Sequence, residues 1–95
     1  MKAIALAMKS ARQSGKPLVI GEFGVPRQWG PREKQQAAFE EYLAAIDKQG
    51  VPLATFWVFG LQQQEEDWNV TFANDRAYMI ELVAKLNRRL RQEKD

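Results

Sequence analysis

A glutamate between two glycines, in Gly21-Glu22-Phe23-Gly24, closes the apolar run Leu18-Val19-Ile20. A carboxylate so placed can act as a nucleophile or as a general acid or base. A second apolar and aromatic run, Leu53 to Phe59, holds Trp57, 35 residues after Glu22. Indole faces stack on the apolar C–H faces of sugar rings, and an indole beside a carboxylate suits a carbohydrate site. The plainer readings are a strand-end glutamate, solvated or paired with an arginine, and a tryptophan packed in the core. The chain has no histidine and no cysteine. That excludes a Ser-His-Asp triad, a cysteine nucleophile, a disulfide framework and thiolate metal sites. Acid-base chemistry therefore falls to carboxylates, lysine or tyrosine, and no metal site or cofactor is expected.

The elements that must position these groups follow from hydrophobic spacing. Ile4, Ala7, Met8 and Ala11 fall on one face of a helix that Gly15 can end. Pro17 opens the first strand, which is apolar on both faces and so suits a parallel strand covered on both sides. Alternation along it puts Glu22 with Ile20 on one face and Val19 with Phe23 on the other. A loop from Val25 to Gly30 carries Arg27, Gln28 and Trp29, and Pro31 opens a second helix with Glu33 in its first turn. Phe39, Tyr42, Leu43 and Ile46 mark its buried face, and Gly50 closes it. After Pro52 the second strand is expected over Leu53 to Phe59, ended by Gly60. The polar loop Leu61 to Phe72 contains three glutamines, Glu65, Glu66, Asp67 and Trp68. Asn74 or Asp75 caps a last helix with Met79, Leu82, Val83, Leu86 and Leu90 on its face.

The order helix, strand, helix, strand, helix predicts an α/β fold with two parallel strands joined by a βαβ crossover. Gly15-Lys16-Pro17 and Gly50-Val51-Pro52 punctuate the two helix-strand junctions alike. Two parallel strands leave both outer edges unpaired and ask for more cover than three helices supply. A carboxylate at the carboxyl end of a parallel strand is where barrel enzymes place catalytic groups. Trp29 and Trp68 lie on the loops that follow the two strands, on the same rim as Trp57.

The segment Lys16-Pro17-Leu18-Val19-Ile20-Gly21-Glu22-Phe23-Gly24 resembles the seventh-strand signature of the cellulase-like glycoside hydrolases, family 5 and its relatives in clan A. Phe56-Trp57 is similar to that family's eighth-strand tryptophan, and Asn74-Asp75-Arg76-Ala77-Tyr78 to the opening of its final helix. The resemblance runs from about Lys2 to Leu90. It implies that residues 1–95 form a single partial domain, the C-terminal part of a TIM (β/α)8 barrel. That part comprises the sixth helix, the seventh strand and helix, and the eighth strand and helix, against about 250 residues in a whole barrel. It further implies retaining hydrolysis of β-linked glycans such as cellulose or mannan. Glu22 would be the nucleophile, Trp57 the sugar platform, and Trp29, Gln28 and Trp68 subsite residues.

Retaining hydrolases need a second carboxyl group about 5–5.5 Å from the nucleophile. In this clan it follows an asparagine, and the chain has no Asn-Glu pair. Glu65, Glu66 and Asp67 are the acids near enough in sequence to stand in. Without an acid/base the isolated chain is expected to be inactive, a loss of about 10²–10⁴-fold before the missing cleft is counted. The alternative is a non-catalytic carbohydrate-binding or assembly fragment. A third reading is four copies closing an eight-stranded barrel.

The expected partners are a β-linked oligo- or polysaccharide and the N-terminal portion of the barrel. Nucleic acid is not expected, because a net charge of +2 comes without a broad basic face, although the pI is near 9.1. Arg88, Arg89 and Arg91 read as a solvated helix end, where the helix dipole favours cations. A membrane is not expected, since no apolar run is long enough to span one. Met1 to Met8 do not make a signal peptide, though the resemblance allows a secreted or periplasmic parent enzyme.

Overall fold

Two glycines set the reversals of this chain. Gly15 and Gly50 adopt φ of 70° and 66°, a left-handed conformation that costs glycine little. At each, the glycine N–H and the next N–H bond back into the last helical turn: Gly50 to Asp47 and Val51 to Ile46, Gly15 to Arg12 and Lys16 to Ala11. Both helices thus end in the same Schellman-type cap, as their shared punctuation predicts. The computed structural model describes residues 2–94. Its elements are α1 (Lys2–Ser14), β1 (Val19–Phe23), α2 (Arg32–Gln49), β2 (Leu53–Phe56) and α3 (Tyr78–Lys94). Single 3₁₀ turns lie at Arg27–Trp29 and Gln62–Gln64.

The fold is mixed α/β, three helices with a two-stranded parallel sheet. Val19 pairs with Leu53, Ile20 with Ala54 and Phe23 with Phe56. The register breaks between Ile20 and Phe23, and this corrects the facing expected from strict alternation. Ile20 packs against the core and Phe23 lies in it, although they are three positions apart. Glu22 is left exposed beside Phe23.

The core gathers Ile4 from α1, Phe23 from β1, Phe39 and Ile46 from α2, Met79 from α3, and Val25 and Val70 from loops. Phe39 is its centre: fully buried, stacked on Phe23 at 5.8 Å and edge-on to Phe56 at 6.0 Å. Truncating such a ring typically costs about 3–5 kcal/mol. On the other face of the sheet Val19 and Leu53, partners in register, are each 54% exposed. The helices cover one face only, so the two-sided cover that these apolar strands suggest is half supplied.

Three further expectations are corrected. β2 ends at Phe56, because Val58 and Gly60 turn their backbone bonds to Val70: the Val70 N–H donates to the Val58 carbonyl and the Gly60 N–H to the Val70 carbonyl. Phe59 and Val70 form an isolated parallel bridge, and the Trp57–Val58 peptide is cis. α3 starts at Tyr78, so neither Asn74 nor Asp75 adjoins its first residue. Asn74 organises the preceding turn instead, its Oδ1 accepting from the N–H groups of Thr71 and Arg76. In the basic cluster Arg89 is paired: it reaches Asp47 of α2 and Glu93 of its own helix, and these bonds raise its pKa. No described helix is long and apolar enough to cross a membrane.

Candidate functional site

At the carboxyl end of the sheet Glu22, Trp29, Trp57 and Trp68 line one cleft of about 480 Å³ with Phe23, Gly24, Tyr42 and Gln64. Sequence spacing puts these tryptophans on one rim, and the fold brings all three to the glutamate. Gln28, the remaining expected subsite residue, is exposed in the same 3₁₀ turn as Trp29 and does not line the cleft.

The cleft floor is set by close approach of the two strand ends. The Trp57 N–H donates to the Phe23 carbonyl at 2.7 Å. A Cβ built on Gly24 would stand 2.5 Å from the Trp57 carbonyl oxygen and 3.4 Å from the Trp68 ring. Only glycine fits there, so that residue admits the neighbouring backbone. Among the described residues Gly21 has no neighbour within 4 Å of an added Cβ. Of the two glycines flanking Glu22, one is a packing requirement and the other faces open space.

Two arginines hold the segment that follows. Arg76 is 1% exposed; its Nη1 donates to Gln35 Oε1 at 3.0 Å, and its Nη2 donates to the Val25 carbonyl. Among the described residues no carboxylate hydrogen-bonds to it, and burial, helped by the nearby Arg27 charge, lowers its pKa. Arg27 joins the two rim loops. Its backbone N–H donates to the Asp67 carbonyl at 2.8 Å, Nε to the Glu65 carbonyl at 3.0 Å, Nη2 to Glu65 Oε2 at 3.1 Å and Nη1 to Asp75 Oδ2 at 2.5 Å. The Asp75 bond is the main reason its pKa is raised and that of Asp75 lowered.

Glu65, one of the acids that the sequence offers for acid/base chemistry, is committed elsewhere. Asn69 Nδ2 donates to it at 2.8 Å and Asn74 Nδ2 at 3.2 Å, and these bonds, with Arg27, lower its pKa. A carboxylate stabilised in its ionised form is a poor proton donor. Among the acidic residues in that loop, none lines the cleft.

Sequence reading missed Gln64 and Tyr42 as cleft residues, and Arg76 as the buried donor to the Val25 carbonyl beside it. Gln64 has its carbonyl fixed by the N–H groups of Asp67, Trp68 and Asn69, at 3.2, 2.9 and 2.9 Å, and the residue lines the cleft. Its place in a run of three glutamines gives no local signal. Tyr42 reads as core from its helical spacing, and it does lie 5.8 Å from Phe23, yet it also forms part of the cleft wall. Among the described residues no group of three or more histidines, cysteines, aspartates or glutamates could hold a metal ion. No protein-family model, curated protein or solved structure matches the chain.

Proposed function

We propose that this chain is the closing part of a (β/α)8-barrel glycoside hydrolase, with Glu22 as nucleophile of a retaining reaction on a β-linked glycan. The observation that carries the reading is the convergence of Glu22, Trp29, Trp57 and Trp68 on one cleft at the carboxyl end of a parallel sheet. The half-exposed pair Val19 and Leu53 supports the barrel part of the proposal, since parallel sheets are ordinarily covered on both faces. In the covalent step a Glu22 carboxylate oxygen bonds to the anomeric carbon while the bond to the leaving oxygen breaks, its electron pair departing with that oxygen.

An aryl glycoside with a dinitrophenolate leaving group needs no acid catalyst, so it tests Glu22 without the missing partner. Incubation with 2,4-dinitrophenyl 2-deoxy-2-fluoro-β-glucoside or β-mannoside should add one glycosyl mass to the peptide containing Glu22. The Glu22→Gln variant should gain none. Because the cleft is incomplete in the isolated chain, the decisive trial adds the N-terminal six βα units of a clan A barrel; absence of the adduct from that reconstituted protein, with both sugars, rejects the nucleophile role.

The commitment of Glu65 to Asn69, Asn74 and Arg27 favours a second reading, sugar binding without turnover. Under it Trp57→Ala abolishes retention in affinity electrophoresis through β-glucan or mannan gels, and Glu22→Gln leaves retention unchanged. An unaltered chain that migrates freely in both gels removes this reading.

A further inference from the structure

We infer that Arg27 is a positioning residue that fixes the spacing between the Trp29 and Trp68 walls of the cleft. The inference rests on the reading of that cleft as a sugar site. Arg27 begins the 3₁₀ turn that ends at Trp29, and its backbone N–H holds the carbonyl of Asp67, the residue before Trp68. Each wall tryptophan therefore lies within two residues of a clamp contact. The guanidinium reinforces the link with three side-chain donors directed to three acceptors, the Glu65 carbonyl, the Glu65 carboxylate and the Asp75 carboxylate.

The acceptors are themselves fixed. Asn69 and Asn74 hold the Glu65 carboxylate, and Asp75 adjoins Arg76, whose buried guanidinium donates to the Val25 carbonyl. The Arg27 side chain is 24% exposed, but its partners Glu65 and Asp75 are 47% and 68% exposed, so the clamp's strength rests on its geometry rather than on shielding from water. An isolated surface ion pair is worth about 0–1 kcal/mol. Here one planar fork makes three side-chain contacts to partners 38 and 48 residues away. Lysine carries its three donors on one nitrogen and cannot reproduce that planar, spread geometry. A binding constellation must hold its groups to within about 0.5 Å, and residues 27, 65 and 75 supply that support here.

The test uses the whole chain with Arg27→Gln and Arg27→Lys, and titrates β-1,4-linked glucose and mannose hexasaccharides calorimetrically. The expected result is a loss of about tenfold or more in affinity in both variants, equivalent to about 1.4 kcal/mol. In a Trp57→Phe background, acrylamide quenching of the two loop tryptophans should rise in the same variants. A role in folding alone predicts a lower unfolding midpoint with unchanged affinity and quenching, and rescue by lysine; that pattern overturns the inference. If Trp57→Ala abolishes binding while Arg27→Gln binds as the unaltered chain does, the clamp falls and the sugar site stands. If the unaltered chain binds neither hexasaccharide, the sugar-site reading falls and takes the clamp with it.

Discussion

The α-carbon of Gly24 faces the carbonyl oxygen of Trp57 so closely that a methyl group on it would stand 2.5 Å away. This contact joins the end of β1, which bears Glu22, to Trp57 just past the end of β2, and backbone cannot yield there as a flexible side chain could. Gly24→Ala should therefore destabilise the chain by about 1–3 kcal/mol, the usual range for overpacking. Gly21→Ala, with open space around it, should be neutral or slightly stabilising. Urea unfolding of the two variants measures the contrast, and equal effects would refute the packing account.

Arg76 should matter more for stability than any exposed arginine. Arg76→Met leaves the Val25 carbonyl and the Gln35 side chain without this donor, in a site that is nearly closed to water. Unsatisfied buried groups cost about 1–3 kcal/mol each, so a loss of about 2 kcal/mol or more is expected in urea unfolding. Arg89→Met breaks exposed pairs and should cost about 1 kcal/mol or less.

The clamp acids make stability depend on pH in a defined direction. Both Glu65 and Asp75 have folded pKa values lowered by hydrogen bonds. Their contribution is whole above the ordinary carboxylate range near about pH 4 and is lost as pH falls through the lowered values. Thermal unfolding at pH 7 and pH 3 should show Glu65→Gln with Asp75→Asn destabilised at the higher pH. The gap from the unaltered chain should narrow at the lower pH. A gap that is constant with pH would remove the electrostatic explanation.

Gln64 is expected to read sugar hydroxyls in the proposed cleft. Among the described residues its carboxamide makes no side-chain hydrogen bond, while its carbonyl organises the turn leading to Trp68. Gln64→Ala should weaken hexasaccharide binding about five- to tenfold, the loss of about one hydrogen bond, and leave the unfolding midpoint in place. Calorimetry and thermal melts on the same sample separate the two effects.

Local sequence carries the scaffold well. The spacing of Ile4 and Met8, of Phe39 and Ile46, and of Met79, Leu82 and Val83 marks the helix faces that pack, and Gly15 and Gly50 mark where two helices stop. Glu22 and the three tryptophans are legible too, because a strand end and its following loop are adjacent in sequence. What stays hidden depends on partners far along the chain. β2 reads three residues too long, since nothing in an apolar run announces that Val58 and Gly60 will pair with Val70. The grips of Arg27 on Glu65 and of Arg76 on Val25 join residues 38 and 51 positions apart, beyond any periodic pattern. The irregularity at Ile20 to Phe23 likewise defeats a rule based on strict alternation.

Glu22 and Phe23 adjoin in the chain and both line the cleft, yet Glu22 is exposed while Phe23 is also part of the core. That arrangement has a consequence for evolvability. A lineage can vary Trp29, Gln64 or Trp68 on the rim while the packing of Phe23 on Phe39 continues to define the architecture. Preference for a new ligand can then be acquired in the loops by small steps, without a parallel redesign of the interior.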